Sequence, residues 1–239
     1  MARPVDPERA ARRREAVVAV AAQMFAEGGY ERTSVAQIAR AAGVSAGTVF
    51  YHFGDKAAVF RAIFEADRPA AEASVARAAG APDPLAGLLA FLDEQVADAG
   101  SPYAAGLVIE LLRRAGEDPQ LLEVVEGTGA LLREGLAALL VRAAEEGRID
   151  TLGDPEAAAA WLLSIADAAF LNGGEGRDVS ADMRRTALGY LRAVEPAPEA
   201  GGGGEASRRD SPGGRTPAGD SSVRSDAGVR LGEEGNGNV

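Results

Sequence analysis

The 239-residue chain has no cysteine, one histidine (His52) and one lysine (Lys56). These scarcities exclude whole classes of chemistry. Disulfide frameworks, Cys/His zinc sites and two-histidine metalloprotease motifs cannot be built, and any acid/base site needing an imidazole would have to use His52. No apolar run approaches the ~20 residues needed to span a bilayer. The first residues, Met-Ala-Arg-Pro-Val-Asp-Pro, lack the apolar stretch of a secretion signal. The expectation is a soluble, cytoplasmic protein without membrane association.

An overall excess of positive charge is also missing: the formal net charge is −11. The total hides a division along the chain. Residues 1–56 carry eight basic and six acidic groups, whereas residues 57–195 carry 12 and 23, and residues 196–239 carry five and seven. Only the first segment is basic, and local potential within about 8–10 Å is what a phosphate experiences. The last segment holds eleven Gly, four Pro and five Ser in 44 residues. Such a composition cannot bury a core, so it reads as a disordered tail.

What remains is helical in pattern. Asp83-Pro84, Ser101-Pro102, Asp118-Pro119 and Asp154-Pro155 each pair a capping residue with proline at the first helical position. Leu85, Leu88, Leu89, Leu92 and Val96 then form one apolar stripe, and similar stripes follow Pro102 and Pro119. A last amphipathic helix from about Ser180 places Met183, Ala187, Tyr190, Leu191 and Val194 together. Residues 157–171 are apolar on nearly every side, which predicts a helix buried all round, with a second subunit covering what the parent chain does not. A homodimer is therefore expected.

Residues 12–64 hold the most specific pattern. Val17, Val20, Ala21, Met24 and Phe25 stripe a helix from Arg12 to Glu27 that Gly28-Gly29 ends. Ser34 and Gln37 have capping-box spacing at the start of a short helix. Gly43 permits a left-handed turn, Val44 plugs the angle, and Ser45 caps a second short helix from Ala46 to about His52. This is a helix-turn-helix. On the second helix, Ala46 and Gly47 are small enough for close approach to a groove floor, and Thr48 offers a hydroxyl and a methyl to base edges. Phe50, Tyr51 and His52 form an aromatic cluster with polar tips. Asp55 caps the next helix and places Lys56 in its first turn, where free N–H groups and an ammonium suit a phosphate.

The stretch Thr33-Ser34-Val35-Ala36-Gln37-Ile38-Ala39, then Ala42-Gly43-Val44-Ser45-Ala46-Gly47-Thr48-Val49-Phe50-Tyr51-His52-Phe53-Gly54-Asp55-Lys56, resembles the DNA-binding domain of the TetR family of bacterial transcriptional regulators. The resemblance implies an all-α protein of about nine helices: an N-terminal three-helix reader with a basic arm (1–56), an effector-binding and dimerisation domain (57–195), and the tail (196–239). It also implies that the final two helices build a four-helix dimer interface. Thr33, Ser34, Ser45, Ala46, Gly47, Thr48, Phe50, Tyr51, His52 and Lys56 would meet double-stranded DNA, with Ser34, Tyr51, His52 and Lys56 on phosphates. Phe50 stands where many relatives have tyrosine, and Gly54 where many have proline.

The implied function is a homodimeric repressor released from an inverted-repeat operator by a small-molecule effector. A transcriptional activator, and a helical ligand-binding or adaptor protein without DNA binding, are the alternatives on the same fold. Phe91, Tyr103, Trp161, Asp167 and Phe170 are the pocket candidates. No catalytic residue, metal or cofactor is expected: Gly127-Thr128-Gly129 has Leu132 where a third glycine would stand and no preceding strand, so it reads as helix and not as a nucleotide loop.

Overall fold

Glycines mark where the first three helices end, and each turn they make aims the next helix. A computed structural model describes residues 7–172 and 178–192. In it α1 (Pro7–Gly28) starts earlier than its apolar stripe, and Gly29, at φ +80°, carries the chain out of it. Next come α2 (Val35–Ala41) and α3 (Ala46–Phe53), joined through Gly43 at φ +67°, and Gly54 at φ +86° caps α3. All three glycines occupy the left-handed region that a side chain would strain. The helix-turn-helix is present as expected.

Beyond it lie α4 (Lys56–Glu65), α5 (Asp67–Ala79), α6 (Pro84–Val96), α7 (Ala104–Ala115), α8 (Pro119–Glu145), α9 (Pro155–Asn172) and α10 (Val179–Leu191). Among the described residues there are ten helices and no strand. The count exceeds the expected nine by one because α4 and α5 are divided at Ala66. That residue is itself near-helical, at φ −68° and ψ −19°. Three of the four expected proline starts are capped as anticipated: Asp83 accepts from the Leu85 N–H, Asp118 from Leu121 and Asp154 from Ala157. The fourth is not. Ser101 and Pro102 form a turn, and α7 begins at Ala104 without a side-chain cap.

The helices bury two apolar clusters. The first gathers Val17, Ala21 and Phe25 of α1, Ile38 of α2, Val49 of α3, and Val59, Phe60 and Ile63 of α4, closed by Leu121 at the start of α8. α4 thus packs with the reader, although it follows residue 56. The second cluster joins α6, α8, α9 and α10 through residues such as Leu88, Phe91, Leu92, Leu136, Leu140, Leu162 and Met183. Burying each such side chain stabilises the fold by roughly 1.5–3 kcal/mol. α8 is long enough to enter both clusters and so fixes one against the other.

One expectation for the final helices requires correction. In α9 the single chain covers one face only: Ala158, Ala159, Leu162 and Ala166 are buried, whereas Trp161 is 56% exposed and Leu171 lies open. On α10, Met183, Ala187 and Leu191 are buried but Tyr190 is exposed. In both helices the inner face fills the second cluster, and among the described residues no element covers Trp161, Leu171 or Tyr190. Gly127-Thr128-Gly129 lies within α8, as its helical pattern required. Val194, the tail from residue 196 and the first residues of the basic arm lie outside the described residues.

Candidate nucleic-acid interface

The helix-turn-helix holds its outward residues by local capping and a shared core. Ser34 Oγ accepts from the Gln37 N–H at 3.3 Å, and the Gln37 side-chain oxygen accepts from the Ser34 N–H at 2.8 Å. This reciprocal cap fixes the start of α2 and leaves Ser34 exposed. Ser45 caps α3 by accepting from the Thr48 N–H at 3.0 Å, and its hydroxyl lies 2.8 Å from that of Thr48. The two hydroxyls therefore form a pair at the exposed end of α3, beside Gly47, which has no side chain to obstruct approach.

Along α3, burial alternates sharply. Val49 is inside the first cluster, whereas Phe50 is 51% and Tyr51 is 79% exposed. A reading of both rings as core is excluded. His52 is half-buried, with its ring 5.3 Å from that of Tyr51 in an edge-to-face arrangement. Phe53 turns inward, and the Arg14 guanidinium lies 5.3 Å from its ring centroid. Arg40, exposed in the last turn of α2, adds a positive charge to the surface of the reader.

Thr33 does not belong to the outward set. It is buried, and its hydroxyl donates to the Gly29 carbonyl at 2.9 Å and lies 3.2 Å from that of Met24. Its backbone N–H donates to the Tyr30 carbonyl. Its polar groups are thus spent on closing the C-terminal end of α1, so the expected DNA contact is corrected to a structural one.

Lys56 is half-buried. Its Nζ donates to the Tyr30 carbonyl at 2.9 Å and lies 4.1 Å from the Tyr30 ring centroid. One of its three ammonium protons is used there and two remain. Tyr30 is thereby the residue that sequence reasoning missed. Its ring packs on Phe25 and Phe60 at 5.3 Å and carries the Arg114 guanidinium at 4.4 Å on α7. Burial raises its phenol pKa, an effect that Arg114 opposes. Its only sequence signal was an aromatic directly after Gly28-Gly29.

With Lys56 in place, the reader can be compared with known proteins. Residues 17–63 match the family model for bacterial regulatory proteins of the tetR family. The reader is of the tetR type. The chain is 28% identical over 154 residues to the HTH-type transcriptional repressor AcnR of Corynebacterium efficiens, covering 64% of this chain and 78% of AcnR. It is 26% identical to the HTH-type transcriptional repressor BepR of Brucella suis biovar 1 over 202 residues, covering 80% of this chain and 97% of BepR. A TetR-family transcriptional regulator from Mesorhizobium loti, known from its crystal structure, superposes with a TM-score of 0.61 at 25% identity, covering 77% of this chain and 95% of that one. The likeness in fold thus extends beyond the reader into the second cluster.

The five pocket candidates are divided between core and surface. Phe91 is 1% exposed in the second cluster, and Phe170 packs against the same cluster from α9. Trp161 stands outward on α9, while Tyr103 precedes α7. Asp167 keeps an edge open to solvent, and the protein around the rest of its carboxyl raises its pKa by desolvation. Phe91 and Phe170 thus share the second cluster, whereas Trp161 faces outward. No group of three or more metal-ligating side chains occurs among the described residues. Nor is any described helix long and apolar enough to cross a membrane.

Proposed function

We propose that the protein is a sequence-specific repressor that acts as a homodimer on an inverted-repeat operator and is released by a small molecule bound in its second, helical domain. The observation that carries this reading is the exposure of Phe50 and Tyr51 next to buried Val49. A short helix with core available on one side keeps two aromatic rings in water on the other, alongside Ser45, Gly47 and Thr48. Recognition helices present their N-terminal residues to base edges and their flanks to phosphates. In this reading Ser45, Ala46, Gly47 and Thr48 face the major groove, Phe50 packs beside it, and Ser34, Tyr51, His52 and Lys56 hold the backbone.

Support for the dimer comes from the uncovered outer faces of α9 and α10. Trp161, Ala168, Leu171 and Tyr190 are exposed there, and a groove lined by Ile165, Ala169, Val179 and Met183 together with Asp182 and Thr186 runs between the two helices. A second copy related by twofold symmetry would cover the same patch on both chains. It would set the two readers about 34–36 Å apart, one turn of duplex. The resemblance to repressors favours a non-enzymatic cytoplasmic regulator whose helical domain carries the effector.

Selection of duplexes from a random-sequence pool by the full-length protein tests this function. The expected product is an inverted repeat bound by two copies, with Lys56→Ala weakening selected and random duplexes alike. Absence of any enriched sequence would overturn the DNA-binding reading in favour of the adaptor alternative. Light scattering that shows a monomer at micromolar concentration would overturn the dimer.

A further inference from the structure

We propose that Glu110 of α7 is a positioning residue for DNA binding, acting through the Tyr30 backbone to fix the Lys56 ammonium. The inference rests on the phosphate role proposed for Lys56. Glu110 is 7% exposed, and a carboxylate removed from water in this way must be matched by donors. Its Oε2 accepts from the Tyr30 N–H at 3.1 Å, and its Oε1 accepts from Arg113 at 2.7 Å.

The approach that allows this bond is built into the helices. One turn before Glu110 stands Gly106, where a Cβ would lie 2.4 Å from the Ala26 carbonyl oxygen. α7 therefore rests directly on the backbone of α1 and carries Glu110 over the segment that follows it. At Gly29 a Cβ would lie 3.6 Å from Glu110 Oε1, so the carboxylate closes on the turn itself.

Tyr30 passes the restraint on. Its N–H is held by Glu110 from α7, and its carbonyl accepts from Lys56 at the first turn of α4. The ring cannot swing away, because it is wedged against Phe25 and Phe60 with Arg114 and Lys56 near it. A lysine has four rotatable bonds, and an ammonium that would otherwise sample many positions is held at one. Two of its protons stay available for a phosphate oxygen. Glu110 touches no DNA in this arrangement. Its effect on binding passes entirely through the residue it holds.

A double-mutant cycle on the full-length dimer tests the assignment, using a duplex selected from the random pool and several salt concentrations. Glu110→Leu is expected to weaken binding about tenfold, whereas Glu110→Gln, which keeps an oxygen for the Tyr30 N–H, stays within about threefold of wild type. In a Lys56→Met background, Glu110→Leu should cost no more than about twofold. Full affinity of Glu110→Leu, or the same loss in both backgrounds, would overturn the proposal. Wild-type affinity and salt slope for Lys56→Met alone would instead remove the phosphate role on which it stands. Hydrogen exchange on the wild-type protein gives a reading independent of how the variants fold. The Tyr30 amide should be protected both free and on the duplex, and fast exchange in the complex would overturn the assignment.

Discussion

Arg61 on α4 donates to the Asp118 carboxylate at 2.9 Å, and the same carboxylate accepts from the Leu121 N–H that opens α8. One buried acid therefore caps the long helix and ties it to the helix that begins at Lys56. Burial would raise the Asp118 pKa, but the Leu121 N–H and Arg61 outweigh it and hold the carboxyl below its ordinary value. A depressed acid contributes stability that is present above its unfolded pKa and is lost as pH falls through the folded one.

Asp118→Ala removes the cap and leaves Arg61 half-enclosed without its partner. The expected loss is about 2–4 kcal/mol in urea denaturation at neutral pH, shrinking as the pH is lowered below ~4. Asp118→Asn keeps an acceptor for the cap and should lose less. Equal losses for the two variants would assign the effect to charge alone.

Asp67 begins α5 with its carboxyl partly enclosed, and burial, reinforced by the negative charge of Asp98, pushes its pKa up to about 6. Here the folded state binds the proton more tightly than the unfolded one. Its contribution is present below the unfolded value and is lost as pH rises through about 6. Asp67→Asn should therefore raise the melting temperature at pH 7.5 relative to wild type, with the gain vanishing near pH 4. A gain that is independent of pH would show that the charge is not its source.

Thr33 and Tyr51 should separate folding from binding. Thr33→Val removes the two hydroxyl interactions that close α1 and should cost about 1–2 kcal/mol of stability, with DNA affinity otherwise intact. Tyr51→Ala removes a ring that is almost wholly in water, so the melting temperature should hold while affinity for the selected duplex falls. The reverse pattern, Thr33 acting on affinity and Tyr51 on stability, would contradict the surface assigned here.

Gly106→Ala forces a methyl group onto the Ala26 carbonyl, and a backbone oxygen cannot swing aside as a side chain could. Overpacking of this kind costs about 1–3 kcal/mol. Gly135→Ala offers a contrast: its Cβ would meet the Val75 side chain at 2.7 Å, which a changed rotamer can relieve in part. The urea midpoint should fall further for Gly106→Ala, and a larger fall for Gly135→Ala would argue against close α1–α7 contact.

The reader and most helix starts were legible in the chain's local pattern, because those depend on residues a few positions apart. Ser34 with Gln37, Gly43, Ser45, and the Asp-Pro pairs at 83, 118 and 154 act through backbone groups of their own turn. Their outcome does not wait on the rest of the fold. Exposure of Phe50 and Tyr51 followed in the same way from the helical register around buried Val49. Packing set what lies between elements distant in sequence. Thr33 proved to be spent on α1, Lys56 proved to hold Tyr30, and Glu110 reached across eighty positions to the same residue. It also decided that α9 and α10 each keep one face uncovered and that Phe91 belongs to the core. None of these could be read from local periodicity. Which face of a helix meets which neighbour depends on how α7 settles on α1 at Gly106 and how α8 spans both clusters, and those placements exist only once the chain has packed.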